Sequence, residues 1–115
     1  MEMAAVVLGL AAIGGLTLAG IRLSGTPRPP TWLALGHGAV AATGLGLLIY
    51  AVLQTSVPTM ALYALGLFVL AAFGGAGIFL GFHLRQRPLP IPLVIGHGLI
   101  AVTAYVLLLV SLFGR

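Results

Sequence analysis

Two histidines occupy the same local setting in this chain. One stands in Leu35-Gly36-His37-Gly38, and the other, 60 residues on, in Ile95-Gly96-His97-Gly98. An imidazole can donate or accept a hydrogen bond, titrate near neutral pH, or bind a metal through a neutral nitrogen. Placed within long apolar runs, an ionisable ring is costly and points to function. Two such rings at one depth suit a metal that needs one ligand on each side, as a b-type haem iron does.

The absences narrow the chemistry. The chain has no cysteine, aspartate or lysine, and Glu2 is its only carboxylate. Disulfides, thiol redox chemistry, thioether-attached haem and Cys-ligated zinc are therefore excluded. A Ser-His-Asp triad is impossible without an aspartate. No third ligand stands at helical spacing to complete a hydrolytic zinc site. Neither a Gly-rich phosphate loop nor a Walker lysine is present. The size and span count match the small multidrug resistance transporters, but those depend on a glutamate within the first helix. Nothing between Met3 and Leu23 supplies one, and that assignment is rejected.

The elements that position the histidines follow from composition. Of 115 residues, 61% are hydrophobic and 5% charged, and the mean hydropathy is +1.24. A soluble domain needs about a quarter of its residues charged to cover its surface, so lipid must be the solvent here. The net charge of +4 rests on five arginines. They form no basic stripe with interleaved aromatics, so no nucleic-acid partner is expected. Apolar runs cover 3–23, 31–53, 59–83 and 91–113, separated by segments rich in proline and glycine. Each run is long enough to cross a hydrocarbon core of about 30 Å as a helix. The first lacks a basic segment before it and is read as a span rather than a cleaved signal. The predicted fold is all-α, a four-helix transmembrane bundle forming one integral membrane domain.

Arg22, Arg28, Arg85 and Arg87 cluster in or beside the connections 24–30 and 84–90, and the second connection carries no charge. The positive-inside bias places both arginine-bearing connections in the cytoplasm and both termini outside, in a multi-pass protein of the cell membrane. Trp32, Tyr50 and Tyr63 fall at the expected rims.

A shift of 60 residues superposes Leu10-Ala11-Ala12 on Leu70-Ala71-Ala72, Gly14-Gly15 on Gly74-Gly75, and Gly36-His37-Gly38 on Gly96-His97-Gly98. Between 10–53 and 70–113 there are 14 identities in 44 positions, against about one in ten expected by chance in so biased a composition. The chain thus reads as two tandem two-helix repeats, about 3–53 and 59–113. Both copies enter the membrane in the same sense, which predicts a pseudo-twofold axis along the membrane normal.

That axis would bring His37 and His97 face to face, each about 9 Å into its helix from the cytoplasmic side. Small residues follow on the same faces, Ala41 and Gly44 in one copy and Ala101 and Ala104 in the other. They leave a slot toward the membrane centre that a flat macrocycle would fit. The rim arginines, Arg22, Arg28, Arg85 and Arg87, could meet its propionates as charge-assisted pairs. The paired histidines resemble those of duplicated two-helix membrane cytochromes of the b type. That resemblance implies an electron carrier exchanging with quinone or a partner subunit. His83 reads as an interfacial residue favouring its helix's C-terminal dipole, and alternatively as a substitute ligand for one of the pair.

Bland roles compete. The arginines also serve as topology anchors, and each histidine needs only one carbonyl partner. Thr17, Thr43 and Thr103 can bond their own helices, and Tyr105 requires a hydroxyl partner. The small-residue ridge Ala34, Gly38, Ala42, Gly46, together with Ala11, Gly15 and Ala19 in the first run and Gly74, Gly77 and Gly81 in the third, reads as helix packing. Two other functions fit the same features: a non-catalytic subunit or assembly factor of a larger membrane complex, and a small transporter or channel with imidazoles lining a pore. Each implies a membrane-protein partner or a homo-oligomer.

Overall fold

A computed structural model describes residues 1–114 of the chain. Four long helices run α1 Glu2–Leu23, α2 Thr31–Gln54, α3 Thr59–Ile78 and α4 Ile91–Phe113, with a π-helical turn at Phe79–His83 prolonging α3. The predicted spans agree with these bounds to within a residue or so. Proline precedes three of the helices, at Pro30, Pro58 and Pro90. There its fixed φ and missing N–H cost nothing, because no intrahelical acceptor exists for that position. After α1, Gly25 turns the chain at φ +115, a conformation that glycine adopts without strain.

All four helices are long and apolar enough to cross a membrane. Large apolar side chains cover the outside, among them Phe73, Leu53 and Phe113, all at least 74% exposed. Water would not tolerate such a surface; acyl chains would. Trp32, Tyr50 and Tyr63 also point outward, near the helix ends.

Short connections force antiparallel neighbours. The closest packing lies within the hairpins α1–α2 and α3–α4, and α1–α4 and α2–α3 close the ring. Helices α2 and α4 therefore lie across a diagonal. At the end carrying the termini, Ala4, Ala5, Leu8, Leu48, Ala64, Phe68, Ala104 and Leu108 form the apolar core. Leu48 and Leu108 are its largest fully buried side chains. Tyr105 finds its partner here. Its hydroxyl donates to the Ala5 carbonyl at 2.9 Å, and Gly9 gives it room, since a Cβ there would stand 2.6 Å from the hydroxyl oxygen. Tyr105→Phe should lower unfolding stability in detergent by about 1 kcal/mol, the usual net value of one such bond. A denaturant titration followed by circular dichroism would measure it.

One packing expectation is corrected. Gly38, Ala42 and Gly46 of the α2 ridge face outward, and nothing lies within 4 Å of a Cβ built on Gly38, Gly46, Gly77 or Gly81. The inward face of α2 is instead set by His37, Gly44, Leu48 and Ala51, whose spacings of seven, four and three keep to one side of a helix. Thr17, Thr43 and Thr103 bond the carbonyls four residues back, as expected.

Candidate functional site

His37 and His97 meet in the interior. Their ring centroids are 6.4 Å apart, and the ring planes cross at 88°. Each ring comes from one hairpin's second helix and rests on the first helix of the same hairpin. His37 Nδ1 donates to the Ala11 carbonyl at 2.8 Å. A carbonyl can only accept, so the proton is on Nδ1 and the lone pair of the neutral ring is on Nε2. His97 Nδ1 is buried without a hydrogen bond.

Glycine makes these seats possible. A Cβ at position 15 would stand 2.9 Å from His37 Cε1, and one at position 75 would stand 3.0 Å from His97 Cε1. Gly14 and Gly74 flank the same rings at a more relaxed 3.7 Å. The histidine level thus lies between two pairs of glycines, and the largest fully buried side chains among the described residues, Leu48 and Leu108, lie elsewhere.

The expected slot is only partly open. Ala41 and Ala101 are half-buried one turn below the rings. Deeper, the space beside Gly44 is taken by Leu8, whose Cγ would be 2.7 Å from a Cβ at that position. Ala104 is wholly enclosed in the apolar core. A slot running to the membrane centre is therefore blocked by Leu8, a residue from the neighbouring helix that the spacing within α2 could not reveal.

His83 departs from its expected role at an interface. It is only 4% exposed, its Nε2 pairs with Thr31 Oγ1 at 3.0 Å, and its ring stacks on Phe79 at 5.1 Å. The π turn causes this. Leu84 N–H bonds the Phe79 carbonyl, five residues back, and the wider turn brings His83 inward toward the start of α2. Engaged there, His83 is not brought to the His37–His97 pair.

The arginine-bearing connections lie side by side. Arg22 Nε donates to the Leu89 carbonyl at 2.8 Å, and Leu89 N–H donates to the Pro27 carbonyl at 3.1 Å. Arg28 comes near enough to His83 to act on it electrostatically, while Arg85 and Arg87 are exposed. Glu2 begins α1 at the opposite end, so among the described residues no carboxylate side chain faces these four arginines.

The carbonyl partner expected for each histidine is found by His37 at Ala11 of the neighbouring helix; the glycine seats were not foreseen, although the signal was present. Gly15 precedes His37 by the same interval as Gly75 precedes His97. Among the described residues, no group of three or more His, Cys, Asp or Glu gathers as a metal site. Fold and site together define a four-helix bundle of membrane-spanning type with an interior imidazole pair. No family model, curated protein or solved structure matches the chain.

Proposed function

We propose that this protein is a small b-type cytochrome-like electron carrier, with haem held between His37 and His97. The carrying observation is the 6.4 Å separation of the two rings across the bundle. A metal–imidazole bond is about 2 Å and the ring centre lies about 1 Å beyond, so two imidazoles on one iron stand about 6 Å apart. Crossed ring planes are compatible with such a pair. Two histidines alone make a poor site for a bare ion, but they suit a metal that brings its own equatorial ligands. Bound there, the haem would supply one-electron chemistry. The Ala11 carbonyl fixes the His37 tautomer and raises its basicity as a ligand. With Leu8 filling the deep side, the haem edge would have to face the arginine end, where Arg28, Arg85 and Arg87 would pair with its carboxylates. Quinone or a membrane-protein subunit would exchange the electrons.

The test is an absorption spectrum of detergent-purified protein from haem-replete cells. A Soret band that sharpens on reduction is expected, and a colourless preparation would end the proposal.

We further propose two tandem hairpins with the arginine end in the cytoplasm. The equivalent seats of His37 on Gly15 and His97 on Gly75, and the complete burial of both Leu48 and Leu108, support the duplication. The native chain has no cysteine, so single cysteines report topology cleanly. In intact cells a membrane-impermeant maleimide should label Ser56→Cys and spare Thr26→Cys; the reverse pattern would invert the topology.

One observation favours the subunit reading. The outward ridge Gly38, Ala42, Gly46 leaves α2 bare where another helix could approach closely.

A further inference from the structure

We infer that Gly15 and Gly75 are positioning residues that aim the Nε2 atoms of His37 and His97 into the space between α2 and α4. The inference deepens the haem proposal and rests on it only for the identity of the ligand. The restriction is local and steric. A methyl group at position 15 would press on His37 Cε1 at 2.9 Å and reach within 3.5 Å of Nε2; at position 75 the corresponding distances to His97 are 3.0 and 3.5 Å. Cε1 lies between the two ring nitrogens. Pushing it turns the imidazole and swings Nε2 off its line; at His37 it also draws Nδ1 away from the Ala11 carbonyl. The contact is tighter at 15 than at 75, so the displacement should be larger at His37.

Neighbouring glycines do not share this duty. Gly14 and Gly74 would accept a methyl at an ordinary 3.7 Å, and Gly20, Gly36, Gly38, Gly96 and Gly98 have nothing within 4 Å of an added Cβ. At 15 and 75 the side chain that an added methyl would meet on the facing helix is the imidazole. His37 and His97 also differ: one Nδ1 is hydrogen-bonded and the other is not, so His37 should be held the more firmly in one tautomer.

The test uses the full chain in bilayers, labelled with ¹⁵N-histidine and prepared without haem. In the native protein, His37 should give a single Nδ1–H tautomer with Nε2 unprotonated. In Gly15→Ala that pattern should be lost at His37 and retained at His97; Gly75→Ala should disturb His97 alone, and Gly14→Ala neither. An unchanged His37 in Gly15→Ala overturns the inference. So does an Nε2–H tautomer in the native protein, a result that stands even if Gly15→Ala fails to fold. Haem-loaded protein separates the two claims. Gly15→Ala should keep its haem but shift its reduction potential relative to Gly14→Ala. If the native chain takes up no haem while the tautomer changes occur as described, the haem proposal fails and the positioning role remains.

Discussion

On the haem proposal, exchanging His37 or His97 for alanine should abolish the native Soret absorption of the purified protein, whereas His83→Ala should leave it in place. The expectation follows from where each ring is held. His37 and His97 face one another from α2 and α4, and neither has a substitute nearby, because His83 is tied to Thr31 and stacked on Phe79. With either ring gone, the proposed haem would be held from one side only and should be lost during purification. Even outer partners of metal ligands are worth about 10- to 100-fold in affinity, and a direct ligand must cost more than that. Haem-to-protein ratio and the reduced-minus-oxidised spectrum are the measurements. Retention of the native spectrum in either variant would break the pairing.

The controls matter, since a collapsed bundle would also be colourless. The apolar core built on Leu48, Phe68 and Leu108 lies at the other end of the bundle from the histidine level. His37→Ala should therefore lose about 1 kcal/mol with its hydrogen bond to Ala11 and stay helical by circular dichroism. His83→Ala removes a buried ring and its bond, and should cost rather more, at about 2 kcal/mol. The variant that hurts stability most is thus the one that keeps its colour. Misfolding would produce the opposite order.

The fold was legible in the sequence because the bilayer imposes it. Four runs of sufficient length, each bounded by proline or glycine, admit no other element once lipid is the solvent. The depth of the histidines followed from counting residues along those runs. Contacts between helices were harder. Leu8 over Gly44, the Ala11 carbonyl under His37, and Thr31 against His83 all join residues far apart in the chain, and the rotation of each helix about its axis decides them. Hydropathy says little about that rotation when every face is oily. The ridge Ala34, Gly38, Ala42, Gly46 illustrates the difficulty: its spacing of four is equally suited to an inward or an outward face, and three of its members point outward. The inward turn of His83 accompanies a π turn at Phe79–His83, for which the continuous apolar run carries no mark.

That ambiguity of facing gives the second large effect. Gly44→Leu should disrupt the bundle, while Gly46→Leu, two residues away on the same helix, should leave it intact. At position 44 a new Cβ would stand 2.7 Å from Leu8 Cγ, 2.8 Å from its Cδ2 and 3.1 Å from its backbone nitrogen. The flexible end of Leu8 could swing aside, but its backbone cannot, so α1 itself must move from α2. Overpacking of this kind costs about 1–3 kcal/mol when side chains alone adjust, and a displaced helix places Gly44→Leu at about 3 kcal/mol or beyond. Leu8 belongs to the same buried cluster as Leu48 and Ala104, so the disturbance would reach α4 as well. At position 46 a side chain meets nothing within 4 Å and simply enters the acyl chains, for a change of less than about 0.5 kcal/mol. Unfolding titrations of the two variants in the same detergent give the comparison. Equal stability would mean that α2 is rotated from the orientation described, which would also turn His37 away from His97. In bilayers Gly46→Leu has a separate use: if another helix docks on the outward ridge, this variant loses that association while its monomer remains as stable as the native one.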